Sequence, residues 1–536
     1  STETLDEETR RAFYALSVFP PKPNSFSEEA ALAVCSAVTP APLVSLDILI
    51  DYGLLEYLPS DRYTLHPILA EFARELSTTS ETGRVTERFV RHYLLTLPDP
   101  PGLETEAENI LAALHAAHAL NLTEALLHGA NAFCAYLEAR GLYSLAEEHL
   151  TRAEAAARAL TRPDQLLTTL NNLGRVAQRR GDYTRGAAYY TEALALAEQA
   201  AASPLHAAVL QGLGLIALSR GDFSQADVHL QASLALARAL EDVTQTSAVL
   251  SNLGALYFNR GELELAGEMF EEGLRLAREA GLREQANALL TNLGVLQARR
   301  GQLVQARAFF EEALALARQM GQRSHTSYLL TNLGTLASEQ GDLSMAVQYF
   351  QEGLALAREM GQRERIGHLL ANLGALATET KEFVLAQSYL DESLALAREI
   401  GHRQNTIFAL TNLGGLCIST GAFDKAGPLL EEGLSLAREI GQIGYVTAIL
   451  LEYGRYYSKL AQWEQAEHAY QEGLALARKM GALASMGHAL FGLALVAKAR
   501  ADGLEAKKLA QESLEMYYAL GHYRAARVKA WLAELL

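Results

Sequence analysis

The 536-residue chain predicts a mainly α protein. It should hold an α-solenoid of 40-residue helix pairs over 131–536, preceded by a small helix-and-hairpin domain over 1–78 and a helical linker over 79–130. Three observations carry that expectation. From about residue 131 the sequence repeats every 40 residues, as in Asn171-Asn172-Leu173-Gly174, Ser251-Asn252-Leu253-Gly254 and Thr291-Asn292-Leu293-Gly294. An unbroken period of that length marks stacked supersecondary units. Ala, Leu, Arg and Glu, all good helix formers, dominate each unit. Small residues recur at fixed offsets within it, which lets helix axes approach closely.

The front elements follow in order. Leu5 to Phe19 reads as a helix with an apolar stripe at Phe13, Leu16, Val18 and Phe19, stopped by Pro20-Pro21. Ser27 caps a second helix from Glu28 to Val38. Pro40 and Pro42 break it, and Leu43 to Tyr52 is a third. Leu54 to Leu58, a Pro59-Ser60-Asp61 turn and Arg62 to Leu65 read as a hairpin. A further helix starts at Pro67, where proline suits the first turn. Three helices and a hairpin make a winged helix. Its third helix carries Asp47 and Asp51 and no Lys or Arg, so phosphates would repel it. Arg84 to Leu97 and Glu104 to Leu120 are the linker helices, separated by Pro98-Asp99-Pro100-Pro101-Gly102.

In each repeat the first helix ends at a turn glycine such as Gly261, Gly301, Gly341 or Gly421, and the second at Leu-Ala-Arg-Glu-Met-Gly or a variant. Gly254, Gly294 and Gly334 mark the first helix. Ala266, Ala306 and Ala346 mark the second, and seven residues on stand Gly273, Ala313 and Gly353. Phe270, Phe310 and Phe350 lie between those two positions to fill the gap. Lys381, Ala461 and Ala501 replace the turn glycine in other units, and the last helices, with Trp531, are expected to cap the array.

Composition excludes several classes. Lys and Arg number 46 against 63 Asp and Glu, a net charge of −17, which weighs against a nucleic-acid partner. Cys35, Cys134 and Cys417 lie far apart, supporting neither a disulfide framework nor a zinc site and fitting a reducing compartment. There is no signal segment and no membrane-spanning apolar run, so a cytoplasmic protein with no membrane partner is expected. A phosphate loop, a nucleophile elbow and a H-E-x-x-H motif are all missing, and no metal or catalytic set converges, so no enzyme is expected. His325, His368 and His402 read as surface residues. The chain opens on Ser1, which makes an excised piece of a longer protein the expectation.

The first helices have another face to present, and the resemblance of Leu253-Gly254…Tyr257 and Ala266…Phe270 to the tetratricopeptide pattern implies that this face lines the ligand groove. Arg175 and Arg179 stand at its N-terminal side. Thr291 with Val295 and Thr331 with Thr335 give it a floor of small residues. Arg455, Tyr456 and Lys459, with Tyr445, Tyr453 and Trp463, make an aromatic–basic cluster further on, while Tyr457 reads as core. For the asparagines at 172, 252, 292, 332, 372 and 412 the same resemblance implies a structural role, bonding backbone between units.

Leu253-Gly254…Tyr257 and Ala266…Phe270 resemble the tetratricopeptide (TPR) pattern, with a unit of 40 residues in place of about 34, no initial Trp and no closing Pro. Asp51-Tyr52-Gly53-Leu54-Leu55 followed by Tyr63 to Ala73 resembles the winged helix of NB-ARC-type signalling ATPases of the STAND class. There a Met-His-Asp motif sets its His against the β-phosphate of ADP. Leu65, His66 and Pro67 match it here, with the His kept and the other two changed.

The resemblance implies a ligand-sensing and autoinhibitory region whose TPR array binds an inducer: a protein, a peptide or a small molecule. The winged helix would restrain an ADP-bound resting state. It implies ADP/ATP and a nucleotide-binding domain in the parent protein upstream of Ser1, with His66 as an ADP contact, and no cofactor in this chain itself. The alternative is a stand-alone TPR regulator or scaffold that binds a peptide or partner protein.

Overall fold

A computed structural model of the chain describes residues 4–199 and 203–535. The chain divides into two compact units, Ser1–Gln245 and Thr246–Leu536. The first unit opens with α1 (Glu7–Leu16), β1 (Phe26–Ser27), α2 (Glu28–Cys35), α3 (Pro42–Asp51), β2 (Glu56–Leu58), β3 (Arg62–Thr64) and α4 (Pro67–Leu76). Helices α5 (Thr79–Leu95) and α6 (Pro100–Ala119), in the stretch expected as a linker, follow. Its repeats are α7 (Thr123–Ala139), α8 (Tyr143–Ala159), α9 (Pro163–Arg179), α10 (Tyr183–Ala197), α11 (Pro204–Ser219) and α12 (Phe223–Ala239).

Helix α13 (Val243–Arg260) contains the division between the units. The second unit continues with α14 (Leu263–Glu279), α15 (Arg283–Arg299), α16 (Leu303–Gln319), α17 (Arg323–Gln340), α18 (Leu343–Glu359), α19 (Arg363–Glu379) and α20 (Phe383–Glu399). It ends with α21 (Arg403–Thr420), α22 (Phe423–Glu439), α23 (Ile443–Lys459), α24 (Trp463–Met480), α25 (Leu483–Ala499), α26 (Gly503–Leu520) and α27 (Arg524–Leu535).

Ser27 caps α2 as expected, its side chain accepting from the Ala30 amide. The hairpin is present but has a third strand: β1 pairs antiparallel with β3, giving the order β1-β3-β2. Two residues carry too little alternation to signal a strand. Packing holds β1 in place: the Phe26 ring stacks on Phe19 with centroids 3.9 Å apart. One apolar core runs through the first unit, from Phe13 and Phe19 through Phe89, Ile110 and Phe133 to Ile216.

The small-residue register holds. A Cβ at Gly294 or Gly334 would lie 2.5 Å from the ring of Phe310 or Phe350, and one at Gly254 would run into Phe270 in the same way. Each first helix is thus notched to receive a second-helix side chain. Leu230, Leu390 and Leu430 take that place opposite Gly214, Gly374 and Gly414. Ala266, Ala306 and Ala346 are fully buried beside them.

A buried hydroxyl ties many pairs further. Ser233, Ser393 and Ser513 on second helices donate to the carbonyls of Ala207, Gly367 and Gly487 on their first helices, each at 2.7 Å. Where the second helix has Gly273 or Gly353, the serine has moved across. Ser247 donates to Gly273 O at 3.2 Å and Ser327 to Gly353 O at 2.9 Å.

The segment between α26 and α27 hooks onto turns several repeats earlier in the second unit. A Cβ on Gly301 would lie 2.5 Å from Ala519 O, and one on Gly341 2.8 Å from Tyr523 Cβ. The Tyr523 amide donates to Glu339 O at 3.2 Å, and its hydroxyl donates to the Glu379 carboxylate. Arg299 donates to Met480 O at 2.8 Å. Gly341 therefore meets two demands, a left-handed φ of 84° and a close approach. Gly421, at φ 79° with open space, meets only the first.

Two outcomes are expected in urea denaturation. Ser327→Ala costs about 1 kcal/mol by removing the buried hydrogen bond. Adding Gly353→Ser restores most of it, since a Cβ there makes only ordinary contacts at 3.5 Å. Gly421→Ala costs about 1–2 kcal/mol in backbone strain alone. Gly341→Ala costs more, because it also displaces Tyr523.

Candidate functional site

Two regions stand out, one in each unit. In the first, His66 is the N-cap of α4, its Nδ1 accepting from the Ile68 amide at 3.3 Å. A neutral ring with Nδ1 so engaged carries its proton on Nε2, which faces outward as a donor. The ring is exposed. Beside it α4 exposes Ile68, Phe72 and Leu76 at 70%, 42% and 45%, four residues apart and so on one face. Arg74, on the same helix, donates to Ser17 O at 2.8 Å and so ties α4 to the end of α1.

A buried polar cluster joins β3 to α5 and α6. Arg62 of β3 pairs with Glu106 of α6. Glu106 also accepts from Tyr93 Oη at 2.9 Å and Asn109 Nδ2 at 2.7 Å. Asn109 in turn donates to Ser25 O at 2.9 Å. Burial and the Glu106 carboxylate push the Tyr93 phenol far above its ordinary range. It therefore stays a donor.

In the second unit the open face of the first helices is turned one residue from the expected register, about 100° around the helix. Thr291 and Thr331 are buried at 4% and 6% exposure, correcting their place on the groove floor. Their hydroxyls donate to Asn287 O and Ser327 O of their own helices, both at 2.8 Å. Each side chain thereby satisfies its polar atom inside the packed interface. Val295 is half-buried and Thr335 exposed, and the open stripe on α17 is Tyr328, Asn332 and Thr335.

The asparagines also differ from expectation. Asn172 and Asn292 donate to side chains of the preceding unit, Asn131 Oδ1 at 3.0 Å and Ser251 Oγ at 3.1 Å. Asn372 and Asn412 donate to carbonyls of their own helices, His368 O and Phe408 O.

The other candidates fall in separate places. Arg175 is engaged by Glu138 at 2.8 Å, whereas Arg179 is exposed. Arg455 donates to Glu452 at 2.6 Å and Ser419 Oγ at 3.2 Å. Lys459 is exposed. Tyr456 packs against the core beside Phe423, with ring centroids 6.3 Å apart. Tyr457 is half-buried instead of fully packed, stacked at 5.7 Å on Tyr453. The two line a cavity of about 950 Å³ with Glu431, Arg438, His468 and Glu472. Burial raises the Tyr453 phenol to about 12.

Sequence reading missed one cluster. His325 and His368 are half-buried, not surface residues, and lie near Arg365. The guanidinium of Arg365 sits over the Tyr328 ring at 5.5 Å. His325 stacks on Tyr328 at 6.0 Å and His368 on Phe408 at 5.2 Å. A signal was present: positions 328, 368 and 408 carry Tyr, His and Phe where 248, 288 and 448 carry Ala. Among the described residues no group of three or more His, Cys, Asp or Glu is arranged to hold a metal. No described helix is long and apolar enough to cross a membrane.

Comparison with known proteins identifies the repeat. The family model described as tetratricopeptide repeat matches residues 165–239 and 365–439, and the model described as MalT-like TPR region matches 240–373. The array over 165–439 is thus built of tetratricopeptide repeats. The model described as anaphase-promoting complex subunit 5 matches 440–500. No curated protein matches the chain.

Among solved structures, the chain is similar to a STAND protein with a tetratricopeptide repeat sensor from Pyrococcus horikoshii. The identity is 17% and the TM-score 0.31, over 99% of this chain and 66% of that one. It therefore spans just under two thirds of that protein's length. It is also similar to a Rap protein complexed with competence and sporulation factor, at 14% identity and TM-score 0.43 over 62% of this chain and 100% of that one. The quorum sensor NprR from B. thuringiensis is similar at 14% identity and TM-score 0.47, over 65% and 97%.

Glu106→Ala is expected to cost the first unit about 3–5 kcal/mol in urea denaturation, because it strands a largely buried guanidinium. Glu87→Ala, which removes the exposed partner of Arg91, costs at most about 1 kcal/mol.

Proposed function

We propose that this chain is the ligand-sensing and autoinhibitory region of a STAND-type signal-transduction ATPase in the cytoplasm. In this reading residues 1–78 are a winged helix, and the TPR array binds the inducer. The catalytic module is a nucleotide-binding domain elsewhere in the parent chain, and ADP and ATP are that domain's ligands.

The observation that carries the reading is His66. It occupies the matching position of the family's motif, is exposed at the start of α4 and offers Nε2 outward. The Ile68, Phe72 and Leu76 stripe beside it gives an apolar surface for the nucleotide-binding domain to cover in the resting state. His66 then donates to the ADP phosphate.

The Arg62–Glu106 cluster ties β3 to α6, so displacement of the linker carries the winged helix with it. An inducer acts by binding the open, ATP-bound form more tightly than the closed one; equal affinity for both would move nothing.

In the complete parent protein, His66→Ala is expected to weaken ADP binding about tenfold or more, the value of one hydrogen bond to a charged group. Basal activity rises with it. A fluorescent ADP analogue reads the release rate. ADP affinity and resting activity equal to wild type would refute the role given to His66.

A further inference from the structure

The array arginines are mostly neutralised by a regular device. Arg318, Arg358 and Arg398 pair with Glu352, Glu392 and Glu432 of the next unit at 2.5, 2.8 and 2.6 Å. A second row joins Arg323, Arg363 and Arg403 to Glu359, Glu399 and Glu439.

Arg365 belongs to neither row. It is half-buried on α19, and no carboxylate of the described residues lies within 4.0 Å of it. Its hydrogen bond is from Nε to the neutral Gln362 Oε1 at 3.2 Å, and its face rests on Tyr328. The adjacent Glu364 is turned to His402, with 3.1 Å between Oε1 and Nε2. His325 of α17 and His368 of α19 flank the guanidinium. On the same stripe of α17 the buried Nδ2 of Asn332 has no acceptor among the described residues.

Arg365 thus keeps its charge beside two imidazoles with only a neutral acceptor, while His325 Nε2 lies 3.2 Å from Thr291 Oγ1 and His368 Nδ1 3.3 Å from Asn372 Nδ2, in a chain whose net charge is −17. We propose that Arg365, flanked by His325 and His368, is the anchor for an oxyanion, a carboxylate or a phosphate, of the ligand that the array takes. This rests on the reading of the array as the ligand-binding part.

A guanidinium offers paired N–H donors matched to an oxyanion. The Tyr328 ring lies against the guanidinium of Arg365, and Phe408 against the ring of His368. The neighbouring groups give the site a pH dependence. Burial and then Arg365 lower the pKa of His325, and the same two causes, joined by His402 and opposed by Glu364, lower that of His368. A bound anion reverses the Arg365 contribution, so binding takes up protons. By linkage, affinity then rises as pH falls through the imidazole range.

The test uses this chain without any nucleotide-binding module, so its result is independent of the ADP experiment. Histidine-labelled protein is titrated with inorganic phosphate and, separately, with acetate, at ionic strength held constant with chloride. The imidazole resonances of His325 and His368 are assigned from His325→Gln and His368→Gln. Saturable shifts of both with at least one ion are expected, several-fold tighter at pH 6 than at pH 7.5. The ion that saturates names the source: phosphate, carboxylate or both. Arg365→Gln abolishes the shifts and Arg365→Lys keeps part of them. Arg358→Gln, which breaks an ordinary ion pair, leaves them unchanged. No saturable shift with either ion, or an Arg365→Gln variant that binds like wild type, would overturn the proposal.

Discussion

The second unit depends on one contact: a bare first-helix backbone at glycine receiving a ring or a leucine from its partner helix. The Gly294–Phe310 approach brings the helix axes close enough for the Ser327–Gly353 type of hydrogen bond to form. Repetition of that geometry every 40 residues lines up Arg and Glu of successive units into surface rows. Each exposed pair is worth little on its own. Their value here is that they consume charge, so two half-buried guanidiniums outside the rows, Arg307 and Arg365, are left with neutral glutamine partners.

In the first unit the corresponding constraint is polar. Arg62, Tyr93, Glu106 and Asn109 converge from a strand and two helices, and each is bonded within the cluster. Removal of Glu106 leaves the others buried without their shared acceptor, which makes the joint between the front domain and the linker stiff. The exposed stripe of α4 is its opposite, an apolar surface that lies outside the core.

Most of the fold was legible because it is periodic. Helix ends were marked by glycine at 301, 341 and 421 and by Ser27, and the Gly, Ala and small-residue columns named their own packing partners. Strand β1 was not legible, because two residues hold no pattern. The open face of the first helices was misjudged by one residue. Thr291 and Thr331 are small and were placed on the groove floor, yet they bond to their own helices and bury, so small size marked the packed face and not the open one. His325 and His368 were read as surface because neither sits near the other in sequence, and adjacent units bring them to one guanidinium.

The hook of residues 519–524 alters how the second unit can deform. A stack with free ends absorbs a small twist per unit while every packed interface stays intact, since each unit touches only its neighbours. Here the far end rests on Glu379, Gly341 and Gly301, from under four to over five units back along the chain. A change of about one degree per unit would accumulate to about five degrees at that seat, enough to slide backbone against backbone. The second unit is therefore less a spring than a clasped bracelet, in which local loosening anywhere along the band is felt at the catch.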